Sequence, residues 1–180
     1  MSQKIYVNKL SESKSTDTFD IEKFNRLKTG HQYYDTLDDG TIIRYLSSDV
    51  DFEKEEPPPF PAILEVYSSF HLNGKLKLKG LHYPSRVELG VWREYDEKGN
   101  LITEENYDEG YEYSFEEVIN FMLLHSINIR DKMTIISRTK GNWGITYLLD
   151  GFPFYWRTII LDGKTGKKLE DKKREINIVE

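Results

Sequence analysis

The sequence contains no cysteine and no long apolar run, and each absence excludes a class of protein. Without cysteine, the chain can form neither disulfide bonds nor a thiolate metal site. No apolar stretch approaches the roughly 20 residues that a membrane-spanning helix needs. The segment 1–17 lacks the apolar core of a signal peptide, although a leader removed beforehand would leave the same N-terminus. We therefore expect a cytoplasmic protein that does not bind membranes.

The motifs of common catalytic sites are also missing. The chain has no P-loop, no GxSxG nucleophile elbow and no GxGxxG dinucleotide fingerprint. The four histidines do not pair with the spacing of metal ligands, and we interpret each as a surface or packing residue: His31, His71, His82 and His125. We expect no cofactor and no enzymatic activity. The alternative is a hydrolase whose site is assembled from distant residues.

The length and composition indicate a single globular domain. The chain has 180 residues, of which 38% are hydrophobic and 13% aromatic, enough to build a core. The 12 tyrosines and 9 phenylalanines favour half-buried β-strands. We predict an α+β fold over residues 18–180, with a mainly antiparallel sheet made of consecutive β-hairpins, preceded by a flexible segment 1–17.

A short pattern occurs twice between residues 67 and 110. An aromatic residue lies four places before a glycine, and a leucine lies two places after that glycine. The copies are Phe70, Gly74 and Leu76, then Tyr95, Gly99 and Leu101. Turn signals such as Asn-Gly between alternating residues predict β-hairpins, because both residues tolerate positive φ. We therefore predict two related hairpins within 63–110.

Local signals predict the remaining elements. A short helix within 18–28 is capped by Thr18 or Asp20, and a hairpin turning at Asp38-Asp39-Gly40 completes an N-terminal part, 18–56. Four prolines in 57–61 predict an extended connector. A capping box, Ser114 with Glu117, begins an amphipathic helix over 114–127. Strands follow within 133–180, ending in a charged tail (170–174) and a short edge strand over 175–179.

Negative charge is concentrated in residues 94–117. This stretch has ten acidic residues and one lysine, a net charge of −9, so the rest of the chain carries +3. A nucleic-acid-binding protein would show the opposite bias, and we expect no nucleic-acid partner. The acidic stretch is suited to a partner protein with a basic surface. Alternatively, these residues are solvated strand and turn positions.

The three tryptophans differ in their surroundings in the sequence. Trp92 and Trp156 lie within predicted strands and are expected in the core. Trp143 lies in a Gly-Asn-Trp-Gly loop and is expected to be more exposed. Combined with the acidic stretch, it completes the predicted partner-binding set: Asp96, Glu97, Glu104, Glu105, Asp108, Glu109, Glu112 and Trp143.

Two segments carry a resemblance to a known family. Residues 73–80, NGKLKLKG, and 90–102, GVWREYDEKGNLI, resemble the NGxLxxxG and GxWxxYdxxGxLxxe repeats of the MORN-like, YwqK-type antitoxin family. With the residues between and around these two segments, the match covers about 45 residues, a quarter of the chain. The resemblance implies a bacterial immunity or antitoxin protein that binds and neutralises a cognate toxin, such as a secretion-system effector. A structural repeat module without a toxin partner is the alternative.

Overall fold

A computed structural model describes residues 17–58, 61–85, 87–149, 151 and 154–176. The chain divides into two compact units between Tyr107 and Asp108, here named unit 1 and unit 2. The predicted single domain stays a prediction, and residues 1–16 of the predicted flexible segment lie outside the described residues. Among the described residues, no helix is long and apolar enough to cross a membrane.

Unit 1 contains a seven-stranded antiparallel sheet whose strands follow one another in chain order. Consecutive β-hairpins therefore form the sheet, as predicted. After a short helix, α1 (Ile21–Leu27), the strands are β1 (Gln32–Thr36), β2 (Ile42–Ser47), β3 (Phe52–Glu56), β4 (Glu65–Phe70), β5 (Leu76–Tyr83), β6 (Val87–Tyr95) and β7 (Leu101–Asn106).

Helix α1 forms where the sequence predicts it and covers an aromatic core. The Asp20 carboxylate caps the helix by accepting the Lys23 backbone N–H at 2.8 Å, which satisfies one of the free donors of the first turn. Phe24 is the buried residue of the helix. It packs into a cluster contributed by the preceding segment and four strands: Phe19, Phe24, Phe52, Phe70, Leu76 and Tyr95.

The two predicted copies of the hairpin pattern have the same turn. Phe70 pairs with Leu76, and Tyr95 pairs with Leu101, in both cases beside a register shift. Gly74 and Gly99 have φ of 81° and 92°, so each turn uses the glycine that positive φ favours. In each turn the glycine N–H donates to the carbonyl three residues earlier.

A third copy of this turn joins β1 to β2. Thr36 pairs with Ile42, Gly40 has φ of 84°, and its N–H donates to the Leu37 carbonyl at 2.9 Å. The sequence pattern did not identify this copy because threonine replaces the aromatic residue and isoleucine replaces the leucine. The repeated hairpin is therefore more widespread in unit 1 than the sequence predicts.

Unit 2 contains a four-stranded antiparallel sheet and one helix. The elements are α2 (Phe115–Leu124), β8 (Ile135–Thr139), β9 (Asn142–Leu149), β10 (Tyr155–Asp162) and β11 (Lys168–Glu175), with the sheet order β11-β10-β9-β8. The predicted capping box is present: Ser114 accepts the Glu117 N–H, and the Glu117 carboxylate accepts the Ser114 N–H at 2.7 Å. One face of α2 is buried through Phe115, Val118, Ile119 and Met122.

Three predictions of local structure need correction. The sequence does not predict strand β3, because its glutamates and lysine hide the alternation of apolar and polar residues. Strand β3 pairs directly with β4, so the proline-rich segment 57–61 connects two neighbouring strands. Within that segment, Pro59 and Phe60 lie outside the described residues. The sequence also predicts a loop over 82–88, which contains Pro84; this loop is shorter in the structure, since β5 continues to Tyr83 and β6 begins at Val87.

The charged tail is the third correction. Residues 170–174 belong to β11, where cross-strand ion pairs such as Arg157 with Asp171 compensate the charges. An edge strand tolerates such residues because much of it remains in water. The predicted edge strand over 175–179 lies largely outside the described residues, which end at Ile176.

Candidate functional site

The predicted partner-binding acids are divided between the two units. Asp96, Glu97, Glu104 and Glu105 lie in unit 1, on β7 and the turn before it, and we name these four residues the acidic edge. Asp108, Glu109 and Glu112 belong to unit 2, where all three are exposed. The sequence therefore groups residues that the structure assigns to separate units.

Strand β7 is an edge strand with all six residues exposed. Besides its two glutamates it presents two large apolar side chains, Leu101 and Ile102, which are 53% and 56% exposed. An edge strand of this kind can pair with a strand of another protein, because no strand of the described residues lies beside its outer backbone groups. The acidic edge thus combines charge, apolar area and backbone hydrogen-bonding groups.

Asp96 stabilises its own turn. Its carboxylate accepts the backbone N–H groups of Lys98 and Asn100, both at 2.8 Å, and the side-chain amide of Asn100 at 2.9 Å. These hydrogen bonds, above all those from Asn100, hold the pKa of the Asp96 carboxyl below its usual value. The role that the contacts give Asp96 is to shape the turn that leads into β7.

Two of the acids have arginine partners. Glu104 pairs with Arg93 on the neighbouring strand at 2.7 Å, and Asp108 pairs with Arg138 at 2.6 Å within unit 2. Glu112 lies 3.9 Å from the Lys164 ammonium, with both side chains well exposed. Pairing with Arg93 reduces the charge that Glu104 offers to a partner.

Glu105 carries the second charge of β7 and acts on a neighbouring tyrosine. Burial is the main cause that raises the pKa of the Tyr107 hydroxyl, and the nearby Glu105 carboxylate raises this pKa further. Glu97 is exposed at the turn, where its carbonyl oxygen accepts the Asn73 side-chain amide at 3.1 Å. Among the described residues, Glu104 is the acid of the acidic edge with an arginine partner, whereas Glu97 and Glu105 form no ion pair there.

Trp143 is buried, so its predicted exposure is wrong. It lies on β9 with a relative exposure of 0%, and its Nε1–H donates to the Tyr113 carbonyl at 2.8 Å. The Arg138 guanidinium lies 4.4 Å from the centre of its ring. Gly144 is not a loop residue: it lies in β9 opposite Ser137, where an added side chain would overlap the serine hydroxyl. Trp143 is a core residue of unit 2.

The other two tryptophans lie in strands, as predicted. Trp92 is buried on β6, so its predicted core position is confirmed, whereas Trp156 is only half-buried on β10, so the predicted core position is wrong for Trp156. None of the described residues forms a group of three or more potential metal ligands, and three of the four histidines bind backbone carbonyl oxygens: His71, His82 and His125.

A pocket that no sequence motif indicates lies on the sheet of unit 1. Its volume is about 410 Å³, and it is lined by residues of four consecutive strands: Glu53, Tyr67, Leu78, His82, Glu88 and Trp92. We name it the sheet-face pocket. Its charged and aromatic residues do not form a recognised sequence motif. They come together only through the register of the strands.

The chain was compared with models of protein families, with curated proteins and with solved structures, and none of them matches it.

Proposed function

We propose that the chain is a bacterial immunity or antitoxin protein that binds and neutralises a cognate protein toxin. The observation that carries the proposal is the acidic edge: an edge strand with every residue exposed, preceded by an exposed glutamate at its turn. The resemblance of residues 73–80 and 90–102 to antitoxin repeats supports the same function. The structure of those residues is a pair of matching hairpins, which suits such repeats.

The acidic edge suits a toxin with a basic surface. Residues 93–105 contain five acidic residues and two basic ones, Arg93 and Lys98. Opposite charge accelerates encounter and suppresses unsuitable partners, while the exposed Leu101 and Ile102 supply apolar contact area. Occlusion of the toxin's active site then requires no chemistry from the chain itself. The protein acts in the cytoplasm.

A growth-rescue experiment tests this function. The genes on either side of the chain's own gene are expressed one at a time in a bacterial host, with and without the chain. We expect one product to arrest growth and the wild-type chain to restore it. If no neighbouring product is toxic, or if the chain never restores growth, the immunity function is wrong and a structural repeat module becomes the better account.

Matched variants locate the interface. The pair Glu97→Lys and Glu105→Lys should abolish rescue, because it reverses two charges of the acidic edge that form no ion pair among the described residues. The control pair Asp38→Lys and Asp49→Lys makes the same charge change at exposed positions elsewhere in unit 1 and should rescue growth like the wild type. Equal rescue by both pairs would exclude the acidic edge as the interface.

A second candidate function is a hydrolase, and the sheet-face pocket is the observation that favours it. His82, Glu53 and Glu88 line the same cavity, and a histidine with nearby carboxylates is a frequent source of general-base catalysis. The test is a panel of chromogenic ester, peptide and phosphoester substrates. Turnover by the wild type that disappears in His82→Asn supports a hydrolase; no turnover by the wild type rejects it for these substrates.

A further inference from the structure

We infer that the sheet-face pocket binds a guanidinium group, as in an arginine side chain or a small alkylguanidine. The inference does not depend on the toxin-binding function and concerns a different set of residues from the acidic edge. A volume of about 410 Å³ falls within the range of small-ligand sites. The chemistry of the lining residues determines which ligand suits it.

The strand register assembles the pocket. Tyr67 on β4 lies opposite Gly80 on β5, and His82 on β5 lies opposite Glu88 on β6. Gly80 provides the space for Trp92, since a side chain there would overlap the indole ring. The Trp92 Nε1–H donates to the Leu81 carbonyl at 3.1 Å, so the donor of this side chain is already used.

His82 provides a buried hydrogen-bond acceptor. Only 2% of the residue is exposed. Its Nδ1 lies 3.0 Å from the Tyr83 carbonyl oxygen and 3.7 Å from Glu65 Oε2. Because a carbonyl and an ionised carboxylate can only accept hydrogen bonds, the proton of the neutral ring belongs on Nδ1.

Nε2 is then the unprotonated nitrogen of the ring and can accept a hydrogen bond. It is buried, and within the described part of the chain it has no hydrogen-bond partner. An unsatisfied polar atom in a buried position is costly, and such an atom in a native protein calls for an explanation. Because His82 lines the pocket, a ligand that donates a hydrogen bond to Nε2 supplies that explanation.

The remaining lining residues select a planar cation. Tyr67 and Trp92 are stacked, with ring centres 5.9 Å apart and an angle of 28° between the rings, and two glutamates line the same cavity. Glu53 forms no ion pair with any lysine or arginine among the described residues. A guanidinium group stacks on aromatic rings and directs several in-plane donors at carboxylates, whereas an ammonium group is compact and strongly hydrated.

Isothermal titration of the full chain with agmatine, and separately with the peptide acetyl-Gly-Arg-Gly-amide, tests the inference. The titrations are run in low salt at pH 8, above the range in which histidine ordinarily carries charge. Saturable agmatine binding identifies a free alkylguanidine as the ligand source. Saturable binding of the peptide alone identifies an arginine side chain of a protein. If neither ligand saturates the chain, or if n-butylamine binds as tightly as agmatine, the inference is wrong.

Variants link binding to the pocket. Glu53→Gln and His82→Asn should each weaken binding about tenfold, through loss of a charge and loss of the Nε2 acceptor. Asparagine can keep the hydrogen bond to the Tyr83 carbonyl, because its amide nitrogen corresponds to Nδ1. The control Glu22→Gln removes the same charge at an exposed position outside the pocket and outside the acidic edge, and should bind like the wild type. Glu53→Gln is an isosteric change, and we expect this variant to fold. If it binds the guanidinium ligand as tightly as the wild type does, the inference is wrong, even if His82→Asn does not fold.

Discussion

The His71 imidazole Nε2 lies 2.8 Å from the carbonyl oxygen of Tyr95, 24 residues further along the chain. The Asn73 amide donates to the Glu97 carbonyl at 3.1 Å, and the Lys75 ammonium to the Lys98 carbonyl at 3.4 Å. Side chains of the first turn therefore bind the backbone of the second. The two copies of the pattern are joined by direct contacts as well as by the sheet, and this joint supports the turn that leads into β7.

Removal of the His71 contact should destabilise unit 1. His71→Ala leaves the Tyr95 carbonyl without this donor, and we expect the free energy of unfolding to fall by about 1 kcal/mol. Urea denaturation followed by circular dichroism measures the change. The control His31→Ala, at an exposed side chain, should stay within about 0.5 kcal/mol of the wild type. Equal losses in the two variants would show that the contact contributes nothing specific.

Gly80 should not tolerate a side chain. A methyl group there overlaps the Trp92 indole, so Gly80→Ala should lower the free energy of unfolding by about 3 kcal/mol. The control is Gly90→Ala, whose added methyl group meets open space. Because Gly90 has a φ of 66°, which is unfavourable for alanine, we expect this variant to lose about 1 kcal/mol of unfolding free energy. A Gly80→Ala protein as stable as Gly90→Ala would mean that Trp92 does not occupy this position.

Trp143 should be the more important of the two tryptophans in unit 2. Trp143→Phe removes a buried donor to the Tyr113 carbonyl and leaves a cavity, so we expect a loss of about 2 kcal/mol in the free energy of unfolding. Trp156→Phe, at a half-buried position, should cost less than about 1 kcal/mol. Chemical denaturation of both variants gives the comparison, and the reverse order would contradict the burial of Trp143.

Asp171 should make the stability of unit 2 dependent on acid pH. Two hydrogen bonds from the Arg157 guanidinium, each 2.8 Å long, and one from Lys168 hold the pKa of this carboxyl well below its usual value. Because the folded-state pKa is lower than the unfolded one, the stabilisation is complete above the ordinary pKa of aspartate. It is lost as pH falls from there through the folded-state value.

Asp171→Asn tests this dependence. At pH 7 the substitution should cost about 1 kcal/mol of unfolding free energy, and the difference from the wild type should shrink as pH is lowered from 5 to about 2. Glu175→Gln, on the same strand, should change the value at pH 7 by less than about 0.5 kcal/mol. A difference between wild type and Asp171→Asn that stays constant over this pH range would contradict the assignment.

The sequence predicts elements whose signals are local. The turns at Gly74 and Gly99 and the capping box of Ser114 with Glu117 each depend on residues within five positions, and all are present. The predictions that failed depend on distant neighbours. The exposure of Trp143 is set by Tyr113, which lies 30 residues away, and the strand character of the charged tail by ion pairs with β10.

The candidate sites follow the same rule. The acidic edge could be predicted as a charged stretch, but the sequence does not show that Asp96 holds its own turn or that Glu104 pairs with Arg93. The sheet-face pocket could not be predicted, because it needs the register of four strands. The only local clue is Gly80 within a strand, which often marks a close approach by another group.

The central claim, that the acidic edge binds a toxin, is tested most directly by hydrogen–deuterium exchange of the full chain. Exchange is measured with and without the toxic product of the neighbouring gene, the one whose growth arrest the chain relieves. We predict slower exchange of the backbone amides of β7 in the complex, and no such slowing in the Glu97→Lys and Glu105→Lys variant. Unchanged β7 exchange, with protection confined to other strands of a bound complex, would contradict the claim.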